Sequence, residues 1–125
     1  MAVDVQTGTE WVVDASGCDP ARLASVEALQ ALFAAVVRDL GLRPVRPALW
    51  EKFPPPGGGV TGVLLLSESH LACHSFPEHR VLAVNLDCCR PRERWPWEAR
   101  LAELVGARQV VVRTLERGIA AETSR

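Results

Sequence analysis

Leu23, Val26, Leu29, Leu32, Phe33, Val36, Val37 and Leu40 recur at intervals of three and four residues. That spacing predicts an amphipathic helix over residues 20–40. Asp19 stands at its start with Pro20 in the first turn, and Gly41 stands at its end. Residues 10–16 read as a short strand ahead of this helix. Residues 43–53 read as a second strand, which Pro44 and Pro47 confine to an edge or an irregular path. The run Pro54-Pro55-Pro56-Gly57-Gly58-Gly59 is too short for an interdomain linker and reads as a loop between strands. Residues 60–67 form an apolar run of the kind found in a buried central strand. Residues 71–76 and 81–86 give two more strands, separated by a turn at Pro77-Glu78-His79-Arg80. Residues 95–105 carry helical spacing through Trp97, Leu101, Leu104 and Val105, and stop at Gly106. A final strand spans 109–115, and the tail from Gly118 is expected to fray.

The predicted order is β-α-β-β-β-β-α-β. It implies an α+β fold: a two-layer α/β sandwich whose mainly antiparallel sheet carries both helices on one face. With 125 residues the chain makes a single domain, 1–125. The other face of the sheet needs cover in so small a chain, and a dimer or a ligand pocket would supply it.

Charge and composition narrow the function. The formal net charge of −1 gives no electrostatic case for nucleic acid or an anionic membrane. No apolar run approaches the roughly 18 residues needed to cross a bilayer, and the first residues lack the parts of a signal peptide. A cytoplasmic enzyme or binding domain is the expectation. Lys52 is the single lysine, so lysine imine chemistry has one candidate. Cys18, Cys73, Cys88 and Cys89 are read as free thiols, since Cys88 and Cys89 are adjacent and nothing suggests secretion. Their spacing lacks the C-x2-C pairs of a zinc site. His70, Cys73 and His74 can be drawn as metal ligands, but no metal is expected.

The chemically dense stretch is Ser67-Glu68-Ser69-His70-Leu71-Ala72-Cys73-His74-Ser75-Phe76-Pro77-Glu78. On a strand from His70, the residues His70, Ala72, His74 and Phe76 share one face. Geometry leaves three readings open. The first is a hydrolase with Ser69 as nucleophile and His74 as base, which lacks a G-x-S-x-G elbow. The second is a metal site. The third is self-modification, in which the Ser69 hydroxyl attacks the preceding carbonyl.

The runs Gly59-Val60-Thr61-Gly62, Leu66-Ser67-Glu68-Ser69-His70-Leu71 and His74-Ser75-Phe76-Pro77-Glu78 resemble the small prokaryotic S-adenosylmethionine decarboxylase proenzymes. The resemblance continues through Ala83-Val84-Asn85-Leu86, Cys89, the Trp97 helix and Gln109-Val110-Val111-Val112. It covers residues 10–118, with order and spacing intact.

The resemblance implies a zymogen that cuts itself between Glu68 and Ser69, giving a β chain of residues 1–68 and an α chain of residues 69–125. Ser69 becomes a pyruvoyl group, the covalent cofactor, which forms a Schiff base with the substrate amine. His74 takes the processing position and removes the Ser69 α-proton. Thr61 stands where the family has a supporting serine and keeps the hydroxyl. Cys89 takes the proton-donor position. Phe53, Phe76, Glu78 and Glu68 fall at substrate-binding positions, where an aromatic ring facing a sulfonium has a cation–π rationale. The implied reaction decarboxylates S-adenosylmethionine to the aminopropyl donor of spermidine synthesis, in a homodimer of αβ units.

Plainer readings stand beside these. Ser69 alone would be a turn residue, and Cys89 alone a packing residue. His70 reads as structural and His79 as an exposed turn residue. Cys18, Cys73 and Cys88 read as packing residues, and the four tryptophans as core or interface. The Arg90-Pro91-Arg92-Glu93-Arg94 cluster reads as a solvated loop, near the substrate carboxylate if a dimer forms. The chain departs from the family at His79-Arg80-Val81-Leu82, at Asp87-Cys88, at Phe76 and near Trp50-Glu51. Two alternatives follow: an arginine or ornithine decarboxylase on the same scaffold, with Asp87 answering a basic side chain, or a non-catalytic regulatory homologue.

Overall fold

The computed structural model describes residues 5–90 and 92–120. Six strands form one sheet: β1 (Val5–Ser16), β2 (Leu49–Lys52), β3 (Val60–Leu66), β4 (Ser69–Phe76), β5 (Val81–Cys88) and β6 (Gln109–Ile119). Their spatial order is β2-β3-β4-β5-β1-β6, and every neighbouring pair is antiparallel. The α+β sandwich expected from the pattern is the fold observed.

Three helices cover one face: α1 (Pro20–Leu23), α2 (Val26–Leu40) and α3 (Trp97–Val105). The single helix expected over 20–40 is thus two. Ser25 causes the break, because its hydroxyl accepts the Ala28 N–H at 3.1 Å and caps a new helix. Gly41 and Gly106 end α2 and α3 in the left-handed conformation that glycine adopts without steric cost. Helix α3 begins at Trp97 rather than Trp95, with Pro96 at its N-cap.

Alternation along the strands decides which side chains meet the helices. Trp11, Val13 and Ala15 of β1, Leu71 and Cys73 of β4, and Leu82, Val84 and Leu86 of β5 are buried. They join Leu29, Leu32, Phe33 and Val36 of α2 and Trp97, Leu101 and Val105 of α3 in one core. On β3 only Val60, Gly62, Leu64 and Leu66 point inward. Val63 and Leu65 lie on the uncovered face at 42% and 55% exposure, so the apolar run of 60–67 serves both faces rather than a fully buried strand.

The strand expected over 43–53 shrinks to Leu49–Lys52, because Pro44 and Pro47 lack the N–H that a continuous ladder requires. Pro44 keeps only an isolated bridge to Leu66. Conversely, β1 and β6 run longer than the pattern suggested, since they pair with each other along most of their length. Gly118 lies within β6, while residues 121–125 of the expected frayed tail fall outside the described residues.

Ser75 secures the layer contact near α1. It is buried in β4, donates to the Leu23 carbonyl at 2.6 Å and accepts the Val60 N–H at 2.9 Å. One hydroxyl therefore joins the end of α1 to the start of β3.

Candidate active site

Leu66 and Ser69 are the last cross-strand pair of the β3–β4 hairpin, so Ser67 and Glu68 alone form its tip. The tip is held at three points. The Ser67 N–H donates to the Arg43 carbonyl at 2.9 Å, and the Cys89 N–H donates to the Glu68 carbonyl at 2.8 Å. The Arg90 guanidinium grips the Glu68 carboxylate, with Nη2 donating to Oε1 at 2.9 Å. That hydrogen bond and the charge of Glu68 push the Arg90 guanidinium still higher than its ordinary range.

Ser69 stands directly opposite Cys88 on β5, and its hydroxyl hydrogen-bonds the buried thiol. Burial pushes the Cys88 thiol up, outweighing the lowering by Arg92 and Ser69, so it is protonated at neutral pH. Cys89, one residue on, is exposed. A cavity of about 520 Å³ opens beside the tip, lined among others by Arg43, Glu68, Ser69, Cys88, Arg90 and Arg92.

The remaining site residues gather at the opposite end of the hairpin. Thr61 Oγ1 and His74 Nδ1 lie 3.0 Å apart across β3 and β4. Phe76 ends β4, and Glu78 sits in the following 3₁₀ turn, Pro77–His79. The Glu78 carboxylate rests on Gly57, where a Cβ would come within 2.6 Å of Oε2. Phe53 closes the same loop, its N–H donating to the Gly59 carbonyl at 2.8 Å. Phe53 and Phe76 leave nearly half their surface to solvent.

Within one chain the structure brings together Glu68, Ser69 and Cys89, and separately Phe53, Thr61, His74, Phe76 and Glu78. It does not join the groups. Five steps of extended strand lead from Ser69 to His74, roughly 17 Å at 3.3 Å per residue. The two side chains also point to opposite faces, which removes the Ser69–His74 hydrolase pair within a chain. His70, His74 and Phe76 share the uncovered face while Cys73 faces the core, so His70, Cys73 and His74 do not converge on a metal. His70 faces Asp87 across the strands, with Nδ1 and Oδ2 3.8 Å apart. Asp87 Oδ1 is buried without a hydrogen-bond partner among the described residues, and Glu10 stands opposite on the next strand.

Two contacts at the tip lay beyond sequence reasoning. Cys88, read as packing, abuts the Ser69 hydroxyl, and Arg90, read as a solvated loop residue, holds Glu68. The strand register alone pairs Ser69 with Cys88, and that register is visible only once β4 and β5 are aligned.

The family model described as S-adenosylmethionine decarboxylase matches residues 9–118. A relative from Pelotomaculum thermopropionicum, named S-adenosylmethionine decarboxylase proenzyme, is 34% identical over 93% of this chain and 90% of its own. One of the same name from Pyrococcus furiosus is 32% identical over 94% of this chain and 83% of its own. The crystal structure of the adenosylmethionine decarboxylase from Aquifex aeolicus superimposes with a TM-score of 0.77 at 25% identity, covering 97% of this chain and 98% of that one. A match across nearly the whole chain, in sequence and in fold, means that the chain belongs to the S-adenosylmethionine decarboxylase family.

Proposed function

We propose that the chain is a self-cleaving proenzyme that decarboxylates S-adenosylmethionine with a pyruvoyl group made from Ser69. The observation that carries this reading is the Glu68–Ser69 peptide at a hairpin tip, its carbonyl gripped by the Cys89 N–H. That donor lies where negative charge would develop if the Ser69 hydroxyl attacked, which is how a polarising N–H lowers such a barrier.

Scission then follows from the residues present. Ser69 Oγ bonds to the Glu68 carbonyl carbon, the peptide C–N bond breaks, and the amide becomes an ester with a free Ser69 amine. Removal of the Ser69 α-proton breaks the Cβ–O bond and leaves Glu68 with a new carboxylate. The dehydroalanine that remains takes up water and loses ammonia, giving the pyruvoyl group. The products are a β fragment of residues 1–68 and an α fragment of residues 69–125.

The residues around Ser69 fit such a group. The buried, protonated Cys88 thiol presents no competing nucleophile, and the cavity beside the tip admits a substrate. Once formed, the pyruvoyl carbonyl supplies the electron sink that decarboxylation of an amino acid needs. The chain's own side chains supply the rest. Cys89 offers an exposed thiol as proton donor to the substrate α-carbon. Phe53 and Phe76, at the end of the sheet that carries His74, present exposed rings to a sulfonium nucleoside once a second copy brings that end to Ser69. Glu78 from that end and Glu68 beside Ser69 accept hydrogen bonds from its hydroxyl and amino groups.

His74 is assigned α-proton removal, supported by Thr61, yet it lies far from Ser69 in its own chain. Two copies packed through their uncovered sheet faces, head to tail, would bring the partner's His74 to the strand end where the backbone carries Ser69. Leu49, Val63, Leu65, Phe76 and Leu115 expose apolar surface on that face, which a second copy would cover. A homodimer with two composite sites is therefore part of the reading. Among the described residues no helix is long and apolar enough to cross a membrane. Free thiols suit a cytoplasmic enzyme of spermidine synthesis.

Intact-mass measurement of freshly purified protein under denaturing conditions tests the scission. Two fragments meeting at Glu68 and Ser69, the second blocked by pyruvoyl, are expected. CO2 release assayed on S-adenosylmethionine, arginine and ornithine tests the substrate, and release from arginine or ornithine alone would overturn it.

A further inference from the structure

The hairpin tip carries an unusual density of guanidinium groups. Arg43, Arg90 and Arg92 line one cavity with Glu68, Ser69 and Cys88. Arg90 already binds the Glu68 side chain. Arg43 holds the tip through its carbonyl, which accepts the Ser67 N–H. Arg92 is close enough to act electrostatically on the Cys88 thiol that abuts Ser69. In the uncut chain Arg90 holds the Glu68 carboxylate, and Arg43 and Arg92 line the same cavity. Scission adds a second one at the same residue.

We propose that Arg43, Arg90 and Arg92 form an anion cradle that fixes Glu68 for scission and then retains its new α-carboxylate. The proposal rests on the self-cleavage reading and adds a positioning role for Arg90. A guanidinium presents paired donors to a carboxylate, and charge-assisted hydrogen bonds are the strong ones. Before scission, Arg90 restricts the Glu68 side chain, while Arg43 and Cys89 restrict the backbone on either side. The carbonyl is thereby presented to Ser69 in one orientation. After scission, the elimination leaves both electrons of the broken Cβ–O bond on the Glu68 carboxylate. The cradle then holds a dicarboxylate chain end in place instead of releasing it as a frayed terminus beside the substrate.

The experiment follows scission by intact mass in wild type, Arg90→Gln, Arg90→Lys and Glu68→Gln, and then exposes each processed protein to a carboxypeptidase. Arg90→Gln should cut about fivefold more slowly, the scale set by a solvent-exposed pair, with Arg90→Lys intermediate because it keeps charge without the planar fork. Glu68→Gln should slow scission similarly, and a variant combining Arg90→Gln with Glu68→Gln no further. The wild-type β fragment should keep its full mass under the carboxypeptidase, whereas the Arg90→Gln fragment should lose Glu68 and Ser67. Equal cutting rates and equal trimming in wild type and Arg90→Gln would overturn the cradle and leave self-cleavage standing. An uncut wild type would overturn both.

Discussion

The Cys89 N–H donates to the Glu68 carbonyl at 2.8 Å, joining the end of β5 to the carbonyl that Ser69 attacks in the proposed scission. The contact belongs to the backbone, so it separates two roles of Cys89. Cys89→Ala keeps the donor and should cut at the wild-type rate while losing most decarboxylase turnover. Cys89→Pro removes the donor and should slow scission about a hundredfold, the scale of losing one oxyanion donor. Scission is read by intact mass, with circular dichroism to establish that the sheet persists. Normal turnover in Cys89→Ala would remove the thiol from the proton-donor role.

Thr61 and His74 form the second pair. If the Thr61 oxygen accepts the Nδ1 proton, the His74 Nε2 lone pair is free to act as a base. Thr61→Ser should therefore process nearly normally, and Thr61→Val should lag about tenfold. His74→Ala should stall after the acyl shift, leaving an ester that hydroxylamine cuts at Glu68. Cutting by hydroxylamine in His74→Ala but not in Ser69→Ala is the diagnostic result. Equal resistance in both would place the function of His74 elsewhere.

How far the sequence disclosed this arrangement depended on the range of the interaction. The helical spacing of Leu29, Leu32, Phe33 and Val36 and the alternation along β4 and β5 are local, and they set the sandwich correctly. The break at Ser25 is not visible in the pattern, because a hydroxyl cap is a one-residue event inside an otherwise continuous apolar stripe. The residues at the hairpin tip were legible through resemblance to a family. Their division between the two ends of the sheet was not, because it follows from the hairpin register that places Leu66 opposite Ser69 and Thr61 opposite His74. Arg90 looked like a solvated loop residue for the same reason, since its partner Glu68 is twenty-two positions away in sequence.

Ser75 offers a stability test. Its hydroxyl serves the Val60 N–H and the Leu23 carbonyl in a buried setting. Ser75→Ala strands both groups and should cost about 1–3 kcal/mol, the range for an unsatisfied buried partner. Urea denaturation of the Ser69→Ala proenzyme background reads this without interference from scission. A change below about 0.5 kcal/mol would mean that water replaces the hydroxyl.

Alkaline pH should weaken the fold through its buried thiols. Burial pushes Cys73 up to about 12 against an ordinary value of 9.0, and pushes Cys18 and Cys88 up as well. The unfolded chain then loses its thiol protons first as pH rises. This contribution is whole below pH 9 and is lost from there towards 12, with a slope for Cys73 of at most about 1.4 kcal/mol per pH unit. Urea midpoints measured from pH 8 to 10.5 should fall, and Cys73→Ala should flatten the fall. The same burial should leave exposed Cys89 as the first thiol alkylated in the native protein.

The separation of Ser69 from His74 makes complementation the sharpest test of a shared site. Neither Ser69→Ala nor His74→Ala should produce the pyruvoyl group alone. In a head-to-tail pair of the two, one of the composite sites combines the intact Ser69 of the His74→Ala chain with the intact His74 of its partner. Co-expression should therefore convert a fraction of the His74→Ala chains to fragments 1–68 and 69–125, with pyruvoyl on the second, while every Ser69→Ala chain stays whole. Mass labels on one chain distinguish the two, and Leu65→Asp on the uncovered face should abolish the rescue by splitting the pair. Failure of rescue in a verified mixed dimer would mean that Ser69 and His74 of the same chain meet after all, through a rearrangement of the β3–β4 hairpin.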